Sequence, residues 1–217
     1  SADHFTKLRV SVQRGRAKAV DSAQRSVQLE DGSVLGFDRL LIATGSSPAT
    51  PPIPGIQGPG VHPCWTLADA RAIMALARPG ARVLQMGAGF IGCIIMEALA
   101  ARGVQLSVVE MGDRMVPRMM GPTAGGMIKQ WCEAKGVAVH TGARVEEVQR
   151  PGANGAPMTV RLSTGQKLDA DLVISATGVR PNIGFLEHSG IRCLVGVLTD
   201  EHLQANVPGV YAAGDCA

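Results

Sequence analysis

An α/β fold, with a parallel sheet and an antiparallel β-meander, follows from three features of the sequence. An apolar run, Val83 to Met86, breaks into Gly87-Ala88-Gly89-Phe90-Ile91-Gly92 and resumes as an apolar helical stretch to Ala101. A second apolar run, Val104 to Val109, ends on Glu110, 23 residues after Gly87. On either side of this unit, short alternating runs separated by turn residues read as antiparallel strands.

Strand, glycine turn, helix, strand and acid in this order form a Rossmann-like dinucleotide-binding unit. Gly87 permits a tight turn, Gly89 lets the backbone approach a pyrophosphate, and Gly92 lets the helix pack close to the strand. The pyrophosphate rests on unpaired N–H groups at the helix N-terminus, so Gly87, Ala88, Gly89, Phe90, Ile91 and Gly92 are the candidate contacts. A carboxylate at Glu110 accepts hydrogen bonds from the adenosine ribose and repels a 2′-phosphate, which favours NAD over NADP. Arg114 is the opposing signal, since a nearby Arg accommodates that phosphate.

In chain order, residues 8–43 read as a β-meander. Lys7 to Val12 alternates, Arg16 to Val20 alternates again, and Val27-Gln28-Leu29 precedes an Asp31-Gly32 turn. The meander ends in Arg39 to Ala43, a buried strand entering the small-residue turn Thr44-Gly45. Ser46 to Pro63, rich in proline and glycine, reads as a stiff linker and a domain boundary. Thr66 and Asp69 form a capping-box-like start for a helix to Arg78, Asp replacing the usual Glu or Gln. After the glycine unit a helix is expected over residues 123–135, with Gly136 as its C-cap. Val137 to His140 is a third parallel strand. A second meander is expected at 143–148, 158–162 and 171–175.

Composition excludes several classes. Twenty-one Lys and Arg against 18 Asp and Glu leave a net charge of +3, scattered along the chain. That argues against nucleic acid and acidic membrane surfaces as partners. No apolar stretch reaches the 18 or so residues needed to span a bilayer, and Ser1-Ala2-Asp3-His4 has no signal-peptide pattern. The five cysteines, 64, 93, 132, 193 and 216, are scattered without a C-x-x-C, as reduced thiols of a cytoplasmic protein are. Each reads as a small packed residue rather than a reactive thiol. His62, His140, His188 and His202 lack ligand spacing, so no metal site is expected.

The sequence also repeats itself. The pattern Val27, Leu29, Gly32, Leu35, Asp38, Leu40, Ala43, Thr44, Gly45, Pro48 returns 133 residues later. The second copy is Val160, Leu162, Gly165, Leu168, Asp171, Val173, Ala176, Thr177, Gly178, Pro181, with nine of ten positions identical. The second copy's glycine unit begins 89 residues before its Ala-Thr-Gly. The same spacing places a glycine unit for the first copy about 45 residues before Ser1, so the chain reads as a piece of a longer, internally duplicated protein.

Five stretches carry a resemblance. They are Leu40 to Pro48; Gly87 to Gly92; Val108-Val109-Glu110; Ala176-Thr177-Gly178-Val179-Arg180-Pro181-Asn182; and Val207 to Asp215. In this order they resemble the FAD-dependent pyridine nucleotide-disulfide oxidoreductases, especially the ferredoxin/rubredoxin reductase and NADH oxidase-like branches. The resemblance implies a parent flavoprotein whose FAD domain is interrupted by an NAD(P) domain. Residues 1–61 would be the end of the first FAD-domain segment, 62–190 the NAD(P)-binding domain and 191–217 the return to the FAD domain.

The resemblance also assigns residues. Ala176, Thr177 and Gly178 would turn beside bound NAD. Ala43, Thr44 and Gly45 would face FAD, and Gly214 and Asp215 would receive its ribityl chain. One position departs: where the family commonly has Glu near the nicotinamide, this chain has Ile94, and Glu97 lies about 300° around the helix from it. The expected parent is therefore an NADH-dependent flavoprotein reductase passing hydride to FAD and electrons to an acceptor protein or small molecule. No side chain here need act as acid or base, so no catalytic residue is named. The alternative is a dinucleotide-binding module without redox activity of its own. Apolar surface that a neighbouring domain would cover makes association into a homo-oligomer an expectation as well. Short-chain dehydrogenases are disfavoured, because Tyr211 is the only tyrosine and no Tyr-x-x-x-Lys pair exists.

Overall fold

The computed structural model describes residues 3–151 and 156–217. Ser1 and Ala2, part of the N-terminal stretch read above, lie outside the described residues. Two compact units are present: Ser1–Ser47 with Arg180–Ala217, and Pro48–Val179.

In the first unit a short helix α1 (Asp3–Lys7) precedes β1 (Ala17–Asp21), β2 (Ser26–Leu29) and β3 (Val34–Gly36), an antiparallel sheet in sequence order. The expected strand over Lys7 to Val12 does not form. Its alternating apolar residues Leu8, Val10 and Val12 are all exposed, and alternation makes a strand only where something covers the apolar face. β4 (Leu40–Ile42) pairs in parallel with a late strand, Val210–Ala212, in register Val210 opposite Leu40. β4 is only half buried, contrary to the continuous apolar run: Ile42 is in the core, while Leu41 is 62% exposed. Ile42, Val20, Leu186, Ile191, Val210 and Cys216 form the core of this unit. β5 (Ser46–Pro48) follows.

The second unit is a five-stranded parallel sheet with helices on one face and a meander on the other. Its elements are β6 (Val61–Pro63), α2 (Leu67–Leu76), β7 (Arg82–Met86), α3 (Phe90–Ala100), β8 (Gln105–Glu110), α4 (Pro122–Ala134) and β9 (Ala138–Thr141). The meander is β10 (Val145–Gln149), β11 (Met158–Leu162) and β12 (Lys167–Ala170), after which β13 (Leu172–Ser175) enters the parallel sheet. The sheet order is β6-β13-β7-β8-β9. Then come β14 (Val179–Pro181), which pairs with β5, and β15, the Val210–Ala212 strand of the first unit.

Side chains alternate across the sheet. Val83, Val108, Leu172 and Ile174 pack with Met96, Leu99 and Cys132 of the helices. Leu84, Met86, Val109 and Val173 pack with Val148, Val160 and Leu162 of the meander. Thr66 and Asp69 make the capping box of α2 in both directions, as expected. Gly136 ends α4 with φ +84°.

Two expectations change here. The meander's third strand is β12, whereas residues 172–175 belong to the parallel sheet. Leu172, Val173 and Ile174 are buried on both faces, as a central strand of a covered sheet requires. Asp171 marks the switch: its N–H donates to the Arg82 carbonyl, and its carboxylate accepts from the Arg82 N–H and guanidinium. The proline-rich stretch, in turn, is not a free linker. Ile56 is buried against the meander face, Val148 N–H donates to Pro54 O, and β6 pairs with β13. The two compact units meet in sequence at 47/48 and 179/180.

The internal repeat is structural. In the first copy Leu29 N–H donates to Ser33 O, Gly32 N–H donates to Leu29 O, and Gly32 has φ +85°. In the second, Leu162, Gln166 and Gly165 make the same two bonds, with Gly165 at φ +83°.

Candidate dinucleotide site

The site forms where β7 turns into α3. Gly87 has φ +92°, a conformation that side chains rarely tolerate, and a Cβ there would lie 2.4 Å from Ala176 O. The first glycine thus brings the Ala176-Thr177-Gly178 turn against the glycine turn, and Ala176 N–H donates to Met86 O. Gly92 is equally constrained, since a Cβ would lie 2.6 Å from Gly87 O. Gly89 is different: it is the N-cap of α3, with nothing within 4 Å of an added Cβ. No side chain caps α3, and no acid occupies its first turn. Its first-turn N–H groups are therefore left to an external acceptor. Open space at Gly89 above an uncapped helix start fits a dinucleotide pyrophosphate.

Glu110, at the end of β8, reaches back to this turn. Its Oε2 accepts from Ala88 N–H at 2.7 Å and its Oε1 from Gly112 N–H at 2.7 Å. Each oxygen keeps a second lone pair for a ribose hydroxyl. Ala88 itself is fully buried, its carbonyl accepting from Val116 N–H. Of the six residues of the turn, Ala88 forms the wall rather than the open surface.

Phe90 and Ile91 are exposed beside Gly89, as is Ile94, at 59%. Arg114 is engaged elsewhere. Its Nε donates to Met120 O, its guanidinium also reaches Pro117 O, and Asp113 pairs with it. Thr177 Oγ1 lies near Ala49 O and Ser175 Oγ, and Gly178, at φ +106°, has open space around it. All of these residues lie in the second unit.

The residues assigned to FAD lie in the first unit. Ala43 and Thr44 are exposed. Asn182, the last residue of the fourth stretch and given no role of its own there, pins this turn. It donates from Nδ2 to Thr44 O and from its N–H to Gly45 O, and it accepts from Ser47 Oγ. Gly214 has φ +81° and open space. Asp215 is exposed and accepts from the buried Ser46 Oγ at 2.8 Å. An exposed carboxylate oriented by a buried hydroxyl beside an open glycine fits a polyol ligand.

Gln85 was also missed. It is completely buried on the helix-facing side of β7, and its Nε2 donates to Gly87 O at 2.9 Å and Gly92 O at 3.1 Å. A polar residue inside an otherwise apolar strand was its only signal. The cysteines are free, and burial raises the thiol pKa of Cys64, Cys93, Cys132 and Cys193, as expected of packed residues. Among the described residues no helix is long and apolar enough to cross a membrane.

A parallel sheet, a glycine turn opening a helix and an acid on the next strand define an α/β dinucleotide-binding protein. Comparison with known proteins gives the particular family. The chain belongs to the pyridine nucleotide-disulphide oxidoreductases, whose family profile matches residues 3–217. The cofactors that go with this membership are FAD and NAD(H). Over 212 residues the chain is 34% identical to the NADH-dependent phenylglyoxylate dehydrogenase subunit epsilon of Aromatoleum evansii, covering 97% of this chain and 50% of that one. It is 32% identical over 214 residues to the ferredoxin–NAD(+) reductase component of the biphenyl dioxygenase system of Paraburkholderia xenovorans, covering 98% and 52%. A ferredoxin reductase structure from Rhodopseudomonas palustris superposes with a TM-score of 0.92 at 27% identity, over 100% of this chain and 53% of that one. The chain spans about half the length of the curated relatives it matches.

Proposed function

We propose that this chain is the NADH-binding part of a flavoprotein reductase that passes reducing equivalents from NADH through FAD to an electron acceptor. The observation that carries the reading is the open Gly89 at the uncapped start of α3, with Glu110 hydrogen-bonded into the same turn. Gly89, Phe90 and Ile91 would present backbone N–H groups to the pyrophosphate. Glu110 would accept from the adenosine ribose and repel a 2′-phosphate. Arg114, committed to Met120 and Pro117, is not placed to offset that repulsion. Ala176, Thr177 and Gly178 would line the cofactor's path beside Gly87.

In the first unit, Thr44, Gly45, Gly214 and Asp215 would meet FAD, Ser46 holding the Asp215 carboxylate for a ribityl hydroxyl. NADH, held by the residues of the second unit, would supply a hydride, and FAD, held by those of the first, would accept it. Several relatives are reductases of ferredoxin or rubredoxin, which supports a small electron-transfer protein as the acceptor.

The test is a calorimetric titration of the chain with NADH and, separately, NADPH. NADH binding tens of times tighter than NADPH is expected. Equal affinity, or a preference for NADPH, would overturn the role given to Glu110. Absence of binding to both would overturn the dinucleotide site itself.

A further inference from the structure

A glutamine amide in the middle of an apolar layer is costly unless it is fully hydrogen-bonded. Gln85 is completely buried and only partly compensated: both donor bonds are made, but its Oε1 has no partner among the described residues. Its neighbours on that face, Val83, Val108, Leu172 and Ile174, are aliphatic. An apolar residue of similar length would lose no packing there and would remove the unpartnered oxygen. Stability of the core therefore does not account for Gln85.

What the amide does is visible in its two bonds. Gly87 O and Gly92 O belong to the first and third glycines of the turn, and one NH2 group joins them. The Gly87 carbonyl shares a peptide plane with the Ala88 N–H, which donates to Glu110 Oε2. That plane is thus held at both ends, by Gln85 on its oxygen and by Glu110 on its hydrogen. Gly89, the open position, is the next residue. Packing is close on this side: a Cβ at Gly92 would lie 2.8 Å from Gln85 Nε2.

We propose that Gln85 is a positioning residue of the dinucleotide site. It fixes the glycine turn in its binding conformation before the pyrophosphate arrives. This inference rests on the NADH reading above. Its physical basis is preorganisation: a turn already held by Gln85 and Glu110 loses little conformational freedom on binding. Without the amide, the Gly87–Ala88 peptide plane is held only through its N–H by Glu110, the glycine gains conformational freedom, and part of the binding energy goes into ordering the turn.

The test uses the full chain carrying Gln85→Met, which keeps length without donors, and Gln85→Glu, which keeps the shape. Thermal melting and NADH calorimetry are run from pH 5.5 to 8.5. Gln85→Met should melt at or above the wild-type temperature yet bind NADH about tenfold more weakly, because part of the binding energy then goes into ordering the turn. Gln85→Glu should bind better at pH 5.5, where the buried acid keeps one donor proton, and progressively worse as it ionises against two carbonyls. Wild type and Gln85→Met should show no such pH dependence relative to each other. Wild-type affinity in Gln85→Met, or a Gln85→Glu profile parallel to wild type, would overturn the proposal while leaving the NADH site intact. Failure of wild type itself to bind NADH would overturn both. Should either variant not fold, amide exchange at Ala88 and Gly89 in the other decides: unchanged protection would sink the idea.

Discussion

Glu110 Oε2 accepts from the Ala88 N–H at 2.7 Å, so the acid at the end of β8 is part of the glycine turn as well as a candidate ribose acceptor. Two functions then depend on one carboxylate. Glu110→Gln keeps one acceptor oxygen but sets an NH2 against a backbone N–H. Charge-assisted hydrogen bonds contribute about 1.5–3 kcal/mol each. NADH affinity is expected to fall at least tenfold, with the NADH-over-NADPH preference reduced, both measurable by calorimetry.

The glycines of the turn should separate by mechanism. Gly87→Ala forces a side chain into φ +92° and towards Ala176 O, so melting should report a loss of about 2 kcal/mol or more. Gly89 has φ −74° and open space, so Gly89→Ala should change stability by less than about 0.5 kcal/mol. On the proposed reading its methyl group would nonetheless stand where the pyrophosphate would come, and NADH binding should drop sharply. Equal stability losses in the two variants would contradict this division.

Arg114→Ala tests the competing cation. The Arg114 guanidinium ties residues 117 and 120 of the loop, so its loss should cost about 1 kcal/mol of stability. The ratio of NADH to NADPH affinity should stay within about twofold of wild type. A large shift in that ratio would return Arg114 to the specificity site.

Asp171 gives a pH dependence of known sign. Hydrogen bonds from the Arg82 guanidinium, opposed by partial burial and aided by the Arg82 N–H, hold its carboxyl below the usual carboxylate range. Its contribution is therefore present above about pH 4 and lost as pH falls through the lowered value. The pair is more than a third exposed, which limits the contribution to about 1 kcal/mol. Acid melts of wild type should steepen below pH 4 relative to Asp171→Asn, and the two should converge in strong acid.

The glycine unit was legible because its constraints are local: Gly87 and Gly92 each answer a steric demand that falls within the turn or on its nearest neighbour, while Gly89 leaves open space at the helix start. Glu110 was legible from its distance to Gly87, and the repeat from identities at turn and strand-entry positions. Lys7 to Val12 misled because alternation states what a strand would bury, not whether anything covers it. The change of sheet at Asp171 was hidden for a similar reason: β12 and β13 are separated by this one residue, and its partner at Arg82 is 89 positions away. Gln85, Asn182 and Ser46 act through residues 2 to 169 positions away, and their residue types alone do not reveal such partners.

The discontinuity of the first unit sets an order in time. Residues 48–179 form one continuous run whose contacts close among themselves, so that unit can fold as soon as it has been synthesised. Leu40 to Ile42 must wait for Val210 to Ala212, about 170 residues later, roughly 10 to 35 s at ribosomal speeds of 5–20 residues per second. Through that interval β4 is a hydrophobic edge without its partner, the kind of nascent surface on which chaperones act.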